Sequence, residues 1–211
     1  MIIDIYKDVG YHPICQDGRF LQPGSREQVR KSNKEAALTR EAIVAAAADH
    51  IRQTGIVETS LADVTAAAGL THGGFYKHFR NKEHLIAEAL SAAGEKIIAV
   101  IGGNMAKGGL NAVVEGYLSA AHRDAAIPTC PFAALGSEMA RSGDETRTAA
   151  TEVVEKLLAV LGEGAPEGDA ARCNAIVALS TLIGAMTLAR IVTSNALSAE
   201  ILESARDYLR L

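Results

Sequence analysis

Thr71-His72-Gly73-Gly74-Phe75-Tyr76-Lys77-His78-Phe79-Arg80-Asn81-Lys82 decides how the rest of this chain is read. It holds two adjacent glycines, two phenylalanines four apart, a tyrosine and three cationic side chains, between segments that both read as helix. Phe75 and Phe79 at i and i+4 share one helix face and can enter a core, which leaves Tyr76, Lys77 and Lys82 facing outward. A basic, aromatic outward face suits the major groove of DNA, where phosphates attract cations and base edges accept flat or forked side chains. Gly73 and Gly74 each cost about 1 kcal/mol in a helix interior relative to alanine. Either they let the backbone approach DNA closely, or they mark an irregular turn.

Working outward toward the N-terminus, Ser60 and Asp63 have the spacing of a capping box, and Leu61, Val64 and Ala68 follow at helical period. Gly69 stops that helix, and Thr71 can cap the next with its hydroxyl. Ala66, Ala67 and Ala68 allow the two helices a close approach, so the unit reads as helix, tight turn, helix. Thr59 and Ser60 open its first helix near the DNA-facing side. Toward the C-terminus, Asn81 reads as an N-cap that puts Lys82 in the first turn of a new helix. The macrodipole disfavours a cation there by roughly 0.3 to 1 kcal/mol, and Glu83 compensates only in part. A phosphate would reverse the sign, because the helix terminus and Lys82 would then attract one anion together.

The segment Thr39 to Leu85, with TSLADVTAAAGLTHGGFYKHFRNKEHL at its heart, resembles the DNA-binding domain of the TetR family of bacterial transcriptional regulators. The resemblance implies an all-α protein: an N-terminal three-helix helix-turn-helix domain followed by a larger helical-bundle regulatory and dimerisation domain. It implies operator reading by the glycine-bearing third helix, a DNA contact from the aromatic before the basic residue, and a phosphate contact from the lysine that opens the fourth. Those roles fall on Thr71, His72, Gly73, Tyr76, His78 and Lys82, with Lys77 on the same outward face and Ser60 matching a backbone-phosphate contact.

Formal charge is −4 over 211 residues, which looks wrong for a DNA-binding protein until it is divided along the chain. Residues 24–85 carry nine Lys/Arg against seven Asp/Glu and four of the six histidines, so the basic excess lies with the proposed reading head. Alanine-rich, tryptophan-free composition with 4% aromatics favours closely packed helices. Three cysteines, Cys15, Cys130 and Cys173, fit no zinc spacing, and a reduced, cytoplasmic setting is the expectation. No phosphate-binding glycine loop, nucleophile elbow or helical metal pair occurs, so no enzyme, cofactor or metal is expected.

Residues 1–34 read as a flexible or irregular extension, with Arg26 to Lys34 either an arm that touches DNA or a solvated charge run. Residues 35–85 form the reading head, whose first helix is capped by Thr39, striped by Ile43, Ala47, Ile51 and Thr54, and ended by Gly55. Residues 86–211 form the ligand-binding and dimerisation domain. A linking helix runs from Asn81 to Gly102-Gly103, with Gly94 either a bend or a tolerated glycine, and further helices fall at about 109–123, 131–141, 144–162, 168–193 and 198–209.

Seventeen residues without charge separate Arg172 from Arg190, too few and too interrupted by polar residues to span a bilayer, so no membrane is expected. That helix and the apolar stripe Val153, Val154, Leu157, Leu158 and Leu161 instead suggest a homodimer interface of four helices, two from each chain. Tyr117, His122, Phe132, Met139 and Met186 are candidates to line an effector pocket, and equally candidates for plain core. Cys130 before Pro131 sits where a helix N-terminus would favour a thiolate, so it is either a reactive sensor thiol or a small buried cap. Together these features lead to a ligand-responsive regulator, a repressor released from palindromic double-stranded operator DNA by a small-molecule effector. The alternative is a dimeric helical ligand-binding or thiol-sensing protein without sequence-specific DNA binding.

Overall fold

The computed structural model describes residues 25–67, 72–163 and 168–210, and among them the regular structure is helical with no strand. The helices are α1 (Ser25–Thr54), α2 (Leu61–Ala67), α3 (His72–Phe75), α4 (Lys82–Tyr117), α5 (Ala120–Arg123), α6 (Pro131–Met139), α7 (Asp144–Leu161), α8 (Asp169–Ile191) and α9 (Asn195–Leu209). They fall into two compact units, Met1–Glu41 and Ala42–Leu211. In the first, residues 1–24 lie outside the described residues and the rest is helix, where an irregular extension was expected as far as 34. The run from Arg26 to Leu38 is rich in Arg, Glu, Gln, Lys and Ala, all good helix formers. Thr39 therefore does not cap the helix. Its Oγ1 donates to the Glu35 carbonyl at 2.9 Å, turned back onto the preceding turn of a helix that began at Ser25.

The second unit has two apolar centres. In one, Ile43, Ala47 and Ile51 of α1 meet Val64 of α2, Phe75, Phe79, and Leu85 and Leu90 of α4. The two phenylalanine rings stack at 5.4 Å and are buried, as their i, i+4 spacing anticipates. Leu135 and Met139 of α6 and Ala149 of α7 close the same centre, so packing of the reading head continues into the helices beyond it. Gly55 ends α1 at φ +96, the left-handed region that favours glycine.

The other centre lies between α4, α7 and α8, with Leu202 of α9. Here α4 runs straight through Gly102 and Gly103 and breaks instead at Gly108 and Gly109, the latter at φ +62. The expected helix over 109–123 is divided: Leu118 ends α4 by donating its N–H to Val114, and Ser119 caps α5. Gly94 is a close-packing residue, since a Cβ there would lie 2.4 Å from Val153 Cγ2 of α7. That contact is part of a correction to the expected dimer interface. Val153, Leu157, Leu158 and Leu161 of α7 are buried within the chain, so the stripe is used against α4 and α8 and is not left for a partner. One face of α8 is buried through Leu179, Leu182 and Met186, while Ile176, Val177, Leu188 and Ile191 are exposed. By length and composition α8 is apolar enough to cross a membrane, but its buried face packs on α6, α7 and α9.

Candidate nucleic-acid interface and regulatory cavity

The capping box forms as the spacing requires: the Ser60 N–H donates to Asp63 Oδ2 at 3.0 Å, and the Asp63 N–H donates to Ser60 Oγ at 3.1 Å. The Ser60 hydroxyl also donates to Asp63 Oδ2, at 2.5 Å, and this bond, followed by that from the Ser60 N–H, holds the Asp63 carboxyl below the usual carboxylate range. Beyond α2, the four-residue α3 continues as a turn in which the N–H groups of His78 and Phe79 both donate to the Phe75 carbonyl, at 2.9 and 3.0 Å. With the Phe75 and Phe79 rings turned inward, Tyr76 and Lys77 are exposed, and Tyr76 stands edge-on to Phe75 at 5.2 Å. Gly73 is exposed and a Cβ there would meet nothing within 4 Å, so the backbone of α3 is bare on that side. Asn81 caps α4 by accepting from the His84 N–H at 2.8 Å. Lys82 follows at the first helical position, half-buried and without an ion-pair partner among the described residues.

A cavity of about 290 Å³ lies farther along, between Ile97, Val100, Ile101 and Asn104 of α4, Val113, Gly116 and Tyr117 beyond its break, His122 of α5, and Thr129. The Gly108–Gly109 break lets the two stretches of α4 face each other: a Cβ on Gly116 would lie 2.8 Å from Asn104 Nδ2. The buried Tyr117 ring packs edge-to-face on His122 at 4.6 Å, and His122 Nδ1 donates to the Tyr117 carbonyl at 2.7 Å. From α8, Arg190 donates through Nη2 to the His122 carbonyl (2.7 Å) and through Nε to the Arg123 carbonyl (3.2 Å). His122 Nε2 and Arg190 Nη1 are buried with no hydrogen-bond partner among the described residues, and the buried Tyr117 hydroxyl lies against the Cys130 thiol. Burial pushes the Tyr117 hydroxyl well above its ordinary range and holds the His122 imidazole below its own.

The family model for bacterial regulatory proteins of the tetR family matches residues 43–89. An uncharacterized HTH-type transcriptional regulator of Mycobacterium tuberculosis is 33% identical over 168 residues, covering 72% of this chain and 84% of the relative. The chain belongs to the TetR family of bacterial transcriptional regulators. The HTH-type transcriptional regulator TtgR of Pseudomonas putida is 39% identical over 67 residues, 32% of each chain. Among solved structures, a TetR transcriptional regulator from Chloroflexus aurantiacus matches with a TM-score of 0.67 and 26% identity, over 83% of this chain and 94% of that one. The reduced form of Escherichia coli NemR matches with a TM-score of 0.69 and 20% identity, over 82% and 95%, and shares the fold.

Within this TetR-family frame, Ser60, Gly73, Tyr76, Lys77, His78 and Lys82 come together around α2, α3 and the start of α4. Ser60, Gly73, Tyr76 and Lys77 are exposed, and His78 and Lys82 are half-buried. Thr71 and the His72 side chain lie outside the described residues. Thr59 is not a surface residue. It is 1% exposed, and its hydroxyl donates to the Gly55 carbonyl at 2.6 Å to close the turn after α1.

The five candidate effector residues do not share one site. Tyr117 and His122 line the cavity, Phe132 and Met139 line an open groove on α6 and α7, and Met186 is wholly buried core. Cys130 does stand at the N-cap of α6, but it is 1% exposed. Burial pushes its thiol up, and the opposing effects of the Tyr117 hydroxyl, the Ala133 and Phe132 amides and Arg190 do not reverse this. The expectation of a reactive low-pKa thiol is therefore corrected; the exposed free thiol among the described residues is Cys173.

Sequence reading missed Asn104, Thr129 and Arg190, of which only Arg190 carried a signal, as the lone cation ending a long uncharged run. It also missed the ties between the reading head and α6–α7. Arg52 of α1, nearly buried, donates Nη1 to the Thr129 carbonyl at 3.4 Å, and the Val57 N–H donates to Glu138 Oε2 at 2.9 Å. Arg80 pairs with Glu145 at 3.0 Å. The Glu83 carboxylate lies against Gly143, the N-cap of α7.

Proposed function

We propose that this TetR-family protein is a ligand-responsive repressor that binds palindromic operator DNA as a homodimer and leaves it when a small molecule enters the second domain. The reading rests chiefly on the outward surface of α3, where exposed Gly73, Tyr76 and Lys77 sit over the buried phenylalanine pair with Lys82 at the adjoining start of α4. Bare backbone admits close approach, Tyr76 reaches base edges, and Lys82 with the α4 N-terminus binds a phosphate. The cavity between the arms of α4 supports the effector half of the reading. Its wall residue Thr129 also accepts from Arg52 of α1, so a ligand that moves Thr129 acts directly on the brace of the reading head. Residues 35–85 act as the DNA-reading domain and 86–211 as the ligand and dimer domain, with the two chains meeting through the exposed apolar faces of α8 and α9.

Gel-shift titrations with genomic fragments at several salt concentrations test this. Sequence-specific binding is expected, Lys82→Ala should weaken all sequences alike and lower the salt slope by about one, and Tyr76→Ala should chiefly reduce discrimination among operator variants. Binding that is absent or indifferent to sequence would remove the reading.

A further inference from the structure

We infer that His84 is a positioning residue for DNA binding: its imidazole fixes the turn between α3 and α4, so that Lys82 and the α4 N-terminus meet a backbone phosphate already in place. The inference rests on the reading of Lys82 as a phosphate contact. Between the buried Phe79 and Lys82 lie Arg80 and Asn81, and His84 holds both. The Asn81 side chain accepts from the His84 N–H at 2.8 Å, while the His84 ring reaches back and accepts the Arg80 N–H on Nδ1 at 3.2 Å. This is a reciprocal cap in which histidine stands where Glu or Gln is usual, at the third helical position, and it secures the residue before the N-cap. Across the ring, Nε2 lies 2.8 Å from Glu88 Oε1 one turn along α4. An amide N–H can only donate and a carboxylate accepts, so Nδ1 carries the lone pair and Nε2 the proton. Glu88 thereby fixes the tautomer that the Arg80 N–H requires.

The ring is also held by packing, edge-on to Phe79 at 5.8 Å, and its side chain is 18% exposed. The turn is thus tied to the phenylalanine core of the reading head. The N–H groups of Lys82 and Glu83 have no acceptor within their own helix. Arg80 turns its guanidinium to Glu145 at 3.0 Å, and Lys82 is left without an ion-pair partner among the described residues. A phosphate then meets one lysine and one helix terminus without having to order them. Removing the Nδ1 acceptor frees the Arg80 N–H from its protein partner, and the DNA must order the turn itself.

Binding of a fluorescently labelled random-sequence duplex, measured at several salt concentrations, compares two variants with wild type. In His84→Asn, Oδ1 falls near the place of Nδ1; His84→Leu fills the space without an acceptor. Leucine is the better helix former, so a role in helix stability alone ranks His84→Leu above His84→Asn. Positioning reverses the order. His84→Leu should bind about fivefold or more weakly with a salt slope lower by about one, and His84→Asn should recover most of both. In the Lys82→Ala background, His84→Leu should cost less than about twofold further, because the two residues act as a unit. Nitrogen NMR of the wild-type protein above neutral pH needs no variant: His84 Nδ1 should resonate as a lone-pair nitrogen and Nε2 as a protonated one, the reverse of His122. A protonated Nδ1, full affinity of His84→Leu, His84→Asn no better than His84→Leu, or additive losses overturns the inference. An unchanged salt slope in Lys82→Ala would remove the phosphate reading and this inference with it. A slope lowered by Lys82→Ala and untouched by His84→Leu would remove the role of His84 alone.

Discussion

His122 couples the cavity to pH. Its folded-state pKa lies below the ordinary imidazole value of about 6.5, chiefly through burial, so the unfolded chain takes up this proton first as pH falls. Stability should therefore be lost from about pH 6.5 downward until the folded protein is protonated as well. Thermal melts between pH 7.5 and 5 should show Tm falling, and His122→Asn should flatten that part of the curve; an identical slope in the variant would exclude His122 as its source. The two described cysteines should separate in the opposite order from a sensor at Cys130. Brief alkylation of the native protein, mapped by mass spectrometry, should label exposed Cys173 before buried Cys130. At this scale the sequence was legible where the chemistry is local. Ser60 with Asp63 and Asn81 with His84 are caps whose partners lie three residues away. Thr59 was misread as a surface residue, and of the two readings of Cys130 the structure keeps the buried cap, a choice made by packing against distant parts of the chain that no local spacing reveals.

Helix glycines make the same distinction testable. Gly103 is helical and exposed, with nothing within 4 Å of the place of a Cβ, so Gly103→Ala should stabilise by roughly 0.5–1 kcal/mol. Gly94→Ala drives a methyl into Val153 and should destabilise by about 1–3 kcal/mol. Urea denaturation of both variants checks the pair, and a neutral Gly94→Ala would contradict the close contact between α4 and α7. Most helices could be placed from punctuation, because Pro131 and Gly143 mark starts that the structure keeps, while α9, expected from 198, begins at Asn195 behind its Ser194 cap. The end of α4 could not. Gly102-Gly103 and Gly108-Gly109 are the same dipeptide, and only the second has a residue at positive φ. What selects it is the facing of Ile97–Asn104 by Val113–Tyr117, a long-range packing choice.

For the whole molecule, the exposed faces of α8 and α9 form a groove of about 540 Å³ lined by Leu188, Leu197, Ile201 and Tyr208, with Leu188 53% and Tyr208 63% exposed. Two such faces related by a twofold axis would bury these side chains against their copies. Light scattering should report a dimer for the wild-type chain and monomer for Leu188→Arg with Tyr208→Arg, and a monomeric wild type would refute this assembly. The unbroken part of α4, Lys82 to Lys107, is about 40 Å long at the usual helical rise. If Lys82 binds phosphate and the cavity binds an effector, as proposed, this stretch would act as a lever with a short input stroke at the cavity and a long output arm. A tilt of only about 5° at the cavity would carry Lys82 through roughly 3.5 Å over that length. In a dimer the two arms would swing oppositely, doubling the change in span between heads that must match the roughly 34 Å pitch of DNA.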